Sequence, residues 1–464
     1  MISDYTSKRQ SIKVLKEQLR LFAFNETVKS SSATLMSIHK KLDMHERLSA
    51  LLDGELNFHG KDSSYASHNF HAFAAKFPPQ LPSVFIRGLT NPGDIVLDPM
   101  MGSGTTVVEA ILEKRRGIGL DIDPLALQIS RVKTRKLELN QLRDAGYKVI
   151  SRAQNLFSKE ELIEINLNDR FDEKSKSFIN YWFLSRTQRE LLSLVLAIEE
   201  IKDISIRNFM LLVFSSIIIT KSGGVSLAYD LAHSRPHLMK SKVPKNAIEQ
   251  FSIRFKKNLS SMSRLKKNEM IATPMFGNAK NMPFRDGIID LIVTSPPYAN
   301  AIDYMRAHKF SLVWFGESIS DLAELRSKYI GSERIGNIKY DVLPFRVTDI
   351  MKRLAESDKK KAKILNKYFI EIKSVIAEMF RVLRNNKSAI IVVGTSQMRG
   401  INVQTHHCLA DIAENIGFEV VGIAKRVLDR NKRMMPARFG KKNDSIIEQR
   451  MHEEYVIGLY KPSK

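Results

Sequence analysis

The apolar run Ile288-Ile289-Asp290-Leu291-Ile292-Val293, followed at once by Thr294-Ser295-Pro296-Pro297-Tyr298, constrains this chain more than any other feature. A short apolar run closed by two prolines reads as a buried strand, since the prolines would break a helix there. Such a strand ends at the carboxyl edge of a sheet, where open α/β folds place their ligands. Prolines donate no backbone hydrogen bond, so the turn presents carbonyl acceptors beside a hydroxyl and an aromatic ring. It suits the capture of an exocyclic amino group while the ring stacks on the base that carries it. A proline turn that merely caps a strand is the plainer reading.

A second strand end has the same character. Val96-Leu97-Asp98 runs into Pro99-Met100-Met101-Gly102-Ser103-Gly104-Thr105-Thr106, and the apolar stretch 107–112 behind it is expected to be a helix. Glycines at 102 and 104 let the backbone approach a ligand closely, and the helix start offers free N–H groups. Asp98 suits a cationic or hydroxyl-bearing ligand and would repel a pyrophosphate, which favours a nucleoside-type cofactor. The next strand, Gly117-Ile118-Gly119-Leu120, ends in Asp121, with Asp123 and Pro124 behind it. An acid at the second strand end is the usual device for holding two ribose hydroxyls.

Asp-Pro-x-x-Gly-Ser-Gly-Thr-Thr at 98–106, Gly-Leu-Asp-Ile-Asp-Pro at 119–124 and Thr-Ser-Pro-Pro-Tyr at 294–298 together resemble the amino-group DNA methyltransferases that use S-adenosylmethionine. Ser295 is most similar to the cytosine-N4 branch, because adenine-N6 enzymes more often show Asp-Pro-Pro-Tyr. His71-Ala72-Phe73-Ala74-Ala75-Lys76-Phe77-Pro78-Pro79-Gln80-Leu81-Pro82 is similar to the family's cofactor-packing motif. The resemblance covers about residues 68–135 and 275–464. It implies an α/β fold: a doubly wound, mostly parallel Rossmann-like sheet with an antiparallel edge pair near 418–424 and 454–460. It also implies that Phe77, Pro78, Asp98, Met101, Gly102, Gly104, Thr105 and Asp121 hold S-adenosylmethionine. Asn278 departs from the acid that the family often places against the cofactor adenine, yet its side-chain carbonyl can accept from an adenine amino group. Ser295, Pro296, Pro297 and Tyr298 are the implied catalytic residues, and no metal is implied.

The charge agrees with a polyanionic partner, DNA. Lys and Arg number 73 against 50 Asp and Glu, a formal net charge of +23. A generically basic soluble protein is the plainer explanation, so placement matters. Residues 221–270 hold eleven Lys and Arg against Asp230, Glu249 and Glu269, a surplus of eight. Arg254-Phe255-Lys256-Lys257 and Arg264-Leu265-Lys266-Lys267 interleave apolar and basic residues at helical spacing. An amphipathic helix there would dock on the fold and offer lysines to phosphates.

The single cysteine, Cys408, excludes an intrachain disulfide and a cysteine metal cluster. It lies outside any Pro-Cys loop of the kind cytosine-C5 methylation needs, and is expected in the core. His406 and His407 are adjacent and make a poor metal pair. No secretory signal opens the chain, and the apolar stretch 209–220 is too short to span a bilayer. A cytoplasmic protein without membrane contact is expected.

Residues 1–60 read as a helical arm and 61–150 as the cofactor half. Over 151–270 the βαβ rhythm stops, which predicts a helical, basic insertion that contacts DNA or selects the target. Residues 271–464 form the catalytic half, with a variable stretch over about 315–365. No nuclease motif appears, so a cognate restriction endonuclease would be a separate protein. Adenine-N6 methylation, tRNA guanine-N2 methylation and a non-catalytic basic DNA-binding subunit remain open alternatives.

Overall fold

The computed structural model describes residues 2–24, 38, 41–74, 76–220, 224–229, 231, 236–263, 270–299, 303–332, 341–428 and 453–463. At its centre lies a seven-stranded sheet. Its strands are β1 (Ile95–Asp98), β2 (Arg116–Asp121), β3 (Ala272–Phe276), β4 (Ile289–Thr294), β5 (Leu383–Gly394), β6 (Glu419–Val427) and β7 (Glu453–Lys461). They stand in the order β6-β7-β5-β4-β1-β2-β3. Strands β1 to β5 pair in parallel, and β7 runs antiparallel between β5 and β6. This is the doubly wound sheet with an antiparallel edge that the motifs imply. Chain order reverses between β1 and β4, and such a switch point opens a crevice at the strand carboxyl ends.

The central strands are apolar because both their faces are covered. Val96, Leu291, Val293, Ile390 and Val392 face one layer, with the helices Met44–Leu52 and Gln80–Leu89. Leu97, Ile292, Ala389 and Ile391 face the other, against the helices Phe345–Ser357, Lys359–Val382 and Thr405–Ile416. Leu19 and Ala23 of the helix Ile2–Phe24 join the first layer, so the N-terminal arm is part of the sheet's own core.

The helical insertion starts earlier than expected. The helix Leu139–Phe157 crosses the 150/151 boundary, and its Leu142, Val149 and Ala153 share a core with Leu191, Phe209, Phe251 and Phe255. Met305, Phe310 and Trp314, from beyond β4, enter the same core. The segment behind the Ser-Pro-Pro-Tyr turn is thus built onto the insertion. The stretch read as variable holds the helices Ile319–Ser327 and Phe345–Ser357.

The amphipathic reading of the basic segment holds for the helix Ala247–Ser263. It docks through Ile248, Phe251, Phe255 and Met262, while Lys256 and Lys257 are exposed. Residues 264–267, and the turn residues at 222–223 and 234–235, lie outside the described residues. Cys408 is buried in its helix. Among the described residues no helix is long and apolar enough to cross a membrane, and no group of three His, Cys, Asp or Glu could hold a metal ion.

Gly146 lets two helices of the insertion touch. A Cβ there would lie 2.0 Å from the Phe255 ring. Alanine favours an isolated helix over glycine by about 1 kcal/mol, but overpacking a core costs about 1–3 kcal/mol. Gly146→Ala should therefore lower the melting temperature, as read by circular dichroism.

Candidate functional site at the sheet's carboxyl edge

Parallel pairing of β1 with β4, Val96 beside Leu291 and Leu97 beside Ile292, brings the ends of two sequence-distant strands together. Asp98 and Thr294 terminate those strands and are both buried. Thr294 Oγ1 donates to Asp98 Oδ1 at 2.7 Å, and Thr106 Oγ1 donates to Val293 O at 3.2 Å. The glycine turn and the Ser-Pro-Pro-Tyr turn therefore leave the sheet side by side. Burial lifts the Asp98 carboxyl to about 6, opposed by the hydroxyls of Thr294 and Thr106 and the Met100 N–H.

Within the glycine turn, Gly102 and Gly104 have φ of +48° and +75°, the left-handed region that glycine enters freely. A Cβ on Gly104 would lie 2.7 Å from Ser130 Oγ. Buried Lys133 donates to Ser103 O at 2.6 Å and steadies the turn. Ser103 Oγ and Thr105 Oγ1 are buried without a hydrogen-bond partner among the described residues. Met101 turns the other way. Its side chain packs with Val107 and Leu127, and its sulfur would lie 2.3 Å from a Cβ on Gly119.

At the end of β2, Asp121 Oδ2 accepts from Gly102 N at 2.8 Å and Oδ1 from Asp123 N at 2.9 Å. Burial first, and then the charge of Asp123, raise its carboxyl to about 7. Asp123 itself caps the helix Pro124–Lys133 through Leu125 N and Ala126 N. Its second oxygen lies 2.6 Å from His308 Nδ1 and accepts from Tyr329 OH at 2.8 Å. Burial pushes Asp123 up, but His308 and the donors hold it below the ordinary carboxylate range.

Phe73 is the aromatic residue at the glycine turn. A Cβ on Gly102 would meet its ring at 3.1 Å, and the ring stacks on Tyr304 with centroids 5.2 Å apart. Phe77, the residue expected there, is buried with Leu81, Phe85, Val96 and Val293 in the core of one sheet face. Pro78 is half-buried and offers its carbonyl to Leu81 N at the start of a helix. Asn278 is exposed beyond β3, where Gly277 N donates to Asp121 O at 3.1 Å. The Asn278 side-chain oxygen accepts from Lys280 N, and the neighbouring Phe276 is 60% exposed.

In the proline turn Pro296 is buried, while Ser295, Pro297 and Tyr298 are half-buried. Tyr298 OH donates to Glu454 Oε1 at 2.7 Å. Burial, and then the Glu454 carboxylate, hold that phenol well above its ordinary value. Asp303 braces the following helix, Met305–Leu312, by accepting from Arg306 and Arg326. Residues 300–302 lie outside the described residues. Sequence reasoning missed His308, Tyr304 and Tyr329, which no motif marks. Phe73 was within reach, since it stands inside the quoted 71–82 motif.

Chemically, the edge offers a carboxylate with spare lone pairs, two hydroxyls without a partner among the described residues, and an exposed aromatic ring opposite Asp121 at the end of β3. That set fits a ligand with vicinal hydroxyls, an amino-acid end and a flat base. Thr294→Val should cost about 1–3 kcal/mol of folding free energy by urea titration, because it strips a donor from a buried carboxylate. The raised Asp121 value has a definite sign. The folded protein retains that proton between about 4 and 7 while the unfolded chain releases it, so this group's stabilising contribution is lost as pH rises through that window. The melting temperature of Asp121→Asn relative to the native protein should therefore climb from pH 5 to pH 8.

A family model for DNA methylases of the N6/N4 type matches residues 29–132 and 289–462, more than half of the chain. The type II methyltransferase M.MvaI of Kocuria varians is 24% identical over 385 residues, covering 77% of this chain and 83% of that protein. M.MjaII of Methanocaldococcus jannaschii is 24% identical over 440 residues, covering 76% and 81%. M.BglI of Bacillus subtilis is 39% identical over 100 residues, 20% of this chain and 29% of that protein. The chain belongs to the N6/N4 DNA methylase family, whose methyl donor is S-adenosylmethionine.

Proposed function

We propose that the protein methylates the exocyclic N4 amine of cytosine in DNA. The observation that carries the reading is the Thr294–Asp98 hydrogen bond, which sets a cofactor-type turn beside an amine-gripping turn. The choice of cytosine over adenine rests on Ser295.

Bound S-adenosylmethionine supplies an electrophilic methyl group. Asp121 would accept from the ribose hydroxyls, and Asn278 and Phe276 would hold the adenine. Ser103 and Thr105 meet the amino-acid end at the helix start, where free N–H groups favour a carboxylate. Phe73 packs over Gly102 and, with Pro78, bounds the methionine side. Asp98 acts through the turn that it holds.

A base amine is a weak nucleophile because its lone pair is delocalised into the ring. The Ser295 hydroxyl and Pro296 carbonyl accept its two hydrogen bonds, which draws the nitrogen toward tetrahedral geometry and aims the lone pair at the methyl carbon. Positioning and electrostatics then do the work, with no covalent enzyme intermediate, and the methylated nitrogen sheds one of its two protons past these acceptors to solvent. The target leaves the duplex at a cost of a few kcal/mol, and stacking on Tyr298 recovers about 1–3 kcal/mol of it. Lys256 and Lys257, exposed on the insertion, contact phosphates.

Unmethylated DNA incubated with methyl-labelled cofactor should yield N4-methylcytosine on nucleoside mass analysis. N6-methyladenine would transfer the protein to the other branch, and no labelled nucleoside would end the reading. Two variants should separate the half-sites. Ser295→Ala should lower turnover roughly 100-fold with cofactor affinity unchanged, whereas Asp121→Ala should weaken cofactor binding at least about tenfold in calorimetry.

A further inference from the structure

The antiparallel edge of the sheet carries a row of three residues in register. Arg426 on β6 stands opposite Glu454 on β7, and Glu454 stands opposite Gly394, the last residue of β5. The Tyr298 ring lies on that row. A Cβ at position 394 would come within 2.8 Å of Tyr298 Cε2 and 3.2 Å of Cδ2, so the ring rests directly on the glycine backbone. Its hydroxyl donates to Glu454 Oε1 at 2.7 Å, and Arg426 Nη1 donates to the other oxygen, Oε2, at 2.6 Å. Arg426 Nε in turn donates to Leu56 O at 3.1 Å, and Val427 N donates to Asn57 Oδ1 at 2.6 Å.

We propose that this row fixes the Tyr298 ring for the target base, which makes Glu454 and Arg426 positioning residues for methyl transfer. The proposal rests on the reading of Tyr298 as the stacking partner of the extruded base. A buried ion pair is an expensive way to stabilise a sheet edge, since well-packed apolar residues often serve as well. Here the carboxylate divides its oxygens, one for the guanidinium and one for the phenol, so the pair defines where the hydroxyl must lie. The glycine defines the plane of the ring. A ring held at its tip and along one face has no rotamer freedom left to lose when a base stacks on its other face. The row also gives the end of the N-terminal arm a task, because Leu56 and Asn57 hold the far end of the chain of contacts.

The test is a double-mutant cycle on the full chain, with unmethylated plasmid DNA and tritiated S-adenosylmethionine. Tyr298→Phe and Glu454→Gln should each lower kcat about tenfold while cofactor affinity stays within twofold. The double variant should be no slower than the slower single, because both changes remove one constraint. Losses that multiply to about 100-fold, or two fully active singles, overturn the proposal. Gly394→Ala, which alters no charge, serves if Glu454→Gln melts early. It should also slow turnover at least tenfold at unchanged cofactor affinity, and native turnover would overturn the proposal. An active Tyr298→Ala enzyme would instead sink the stacking role itself, whatever the cycle shows.

Discussion

A hydrogen bond between two buried strand ends holds this molecule's working parts together. Asp98 and Thr294 are nearly shielded from water, where a carboxylate without donors is costly and a satisfied one is rigid. Because each residue is the last of its strand, the bond sets the spacing of everything that follows on both sides. Methyl transfer needs its reacting atoms near 3–3.5 Å, and an error of about 1 Å can cost 100-fold in rate. Sheet pairing alone fixes backbones. The Thr294 to Asp98 contact extends that precision to where the loops begin.

Beyond that point the proline turn is secured from two opposite sides. Toward the antiparallel edge, Tyr298 is anchored to Glu454 and Arg426. Toward the cofactor half, the segment starting at Asp303 is tied to Asp123 through His308 and Tyr329 and shares the insertion's core through Met305, Phe310 and Trp314. The insertion is thereby more than a basic appendage. Its apolar interior seats the helix that follows the proline turn, while Lys256 and Lys257 face outward.

Strand ends and turns were legible because their chemistry is local. Two prolines after Ile288–Val293 mark a strand exit whatever surrounds it, and glycines at 102 and 104 stand where φ turns positive. The antiparallel edge pair was readable through the family resemblance. Other features depend on partners far away in sequence. Nothing near residue 150 marks a boundary, because the helix Leu139–Phe157 is assigned by Phe255 filling the space left by Gly146. Phe73 and Phe77 are four residues apart in one motif, and only packing shows that Phe73 reaches the glycine turn while Phe77 enters the core. Met101 was grouped with the ligand contacts by its place in the turn, yet its side chain packs inward on Gly119. His308 carries no sequence signal of its role.

Asp121 and Asp123 show how one short segment supports two opposite electrostatic states. Two carboxylates this close disfavour joint ionisation. Asp123 has His308, Tyr329 and two backbone N–H groups, so it keeps its charge. Asp121 has two backbone donors among the described residues, so burial first and then the charge of Asp123 raise its carboxyl to about 7. A ligand that brings hydroxyl donors to Asp121 supplies what the protein withholds, and binding then favours the charged form. His308, anchored behind the proline turn, thus helps to keep the charge on Asp123 that Asp121 faces. The glycine turn and the segment behind the proline turn thus share an electrostatic balance as well as a sheet edge.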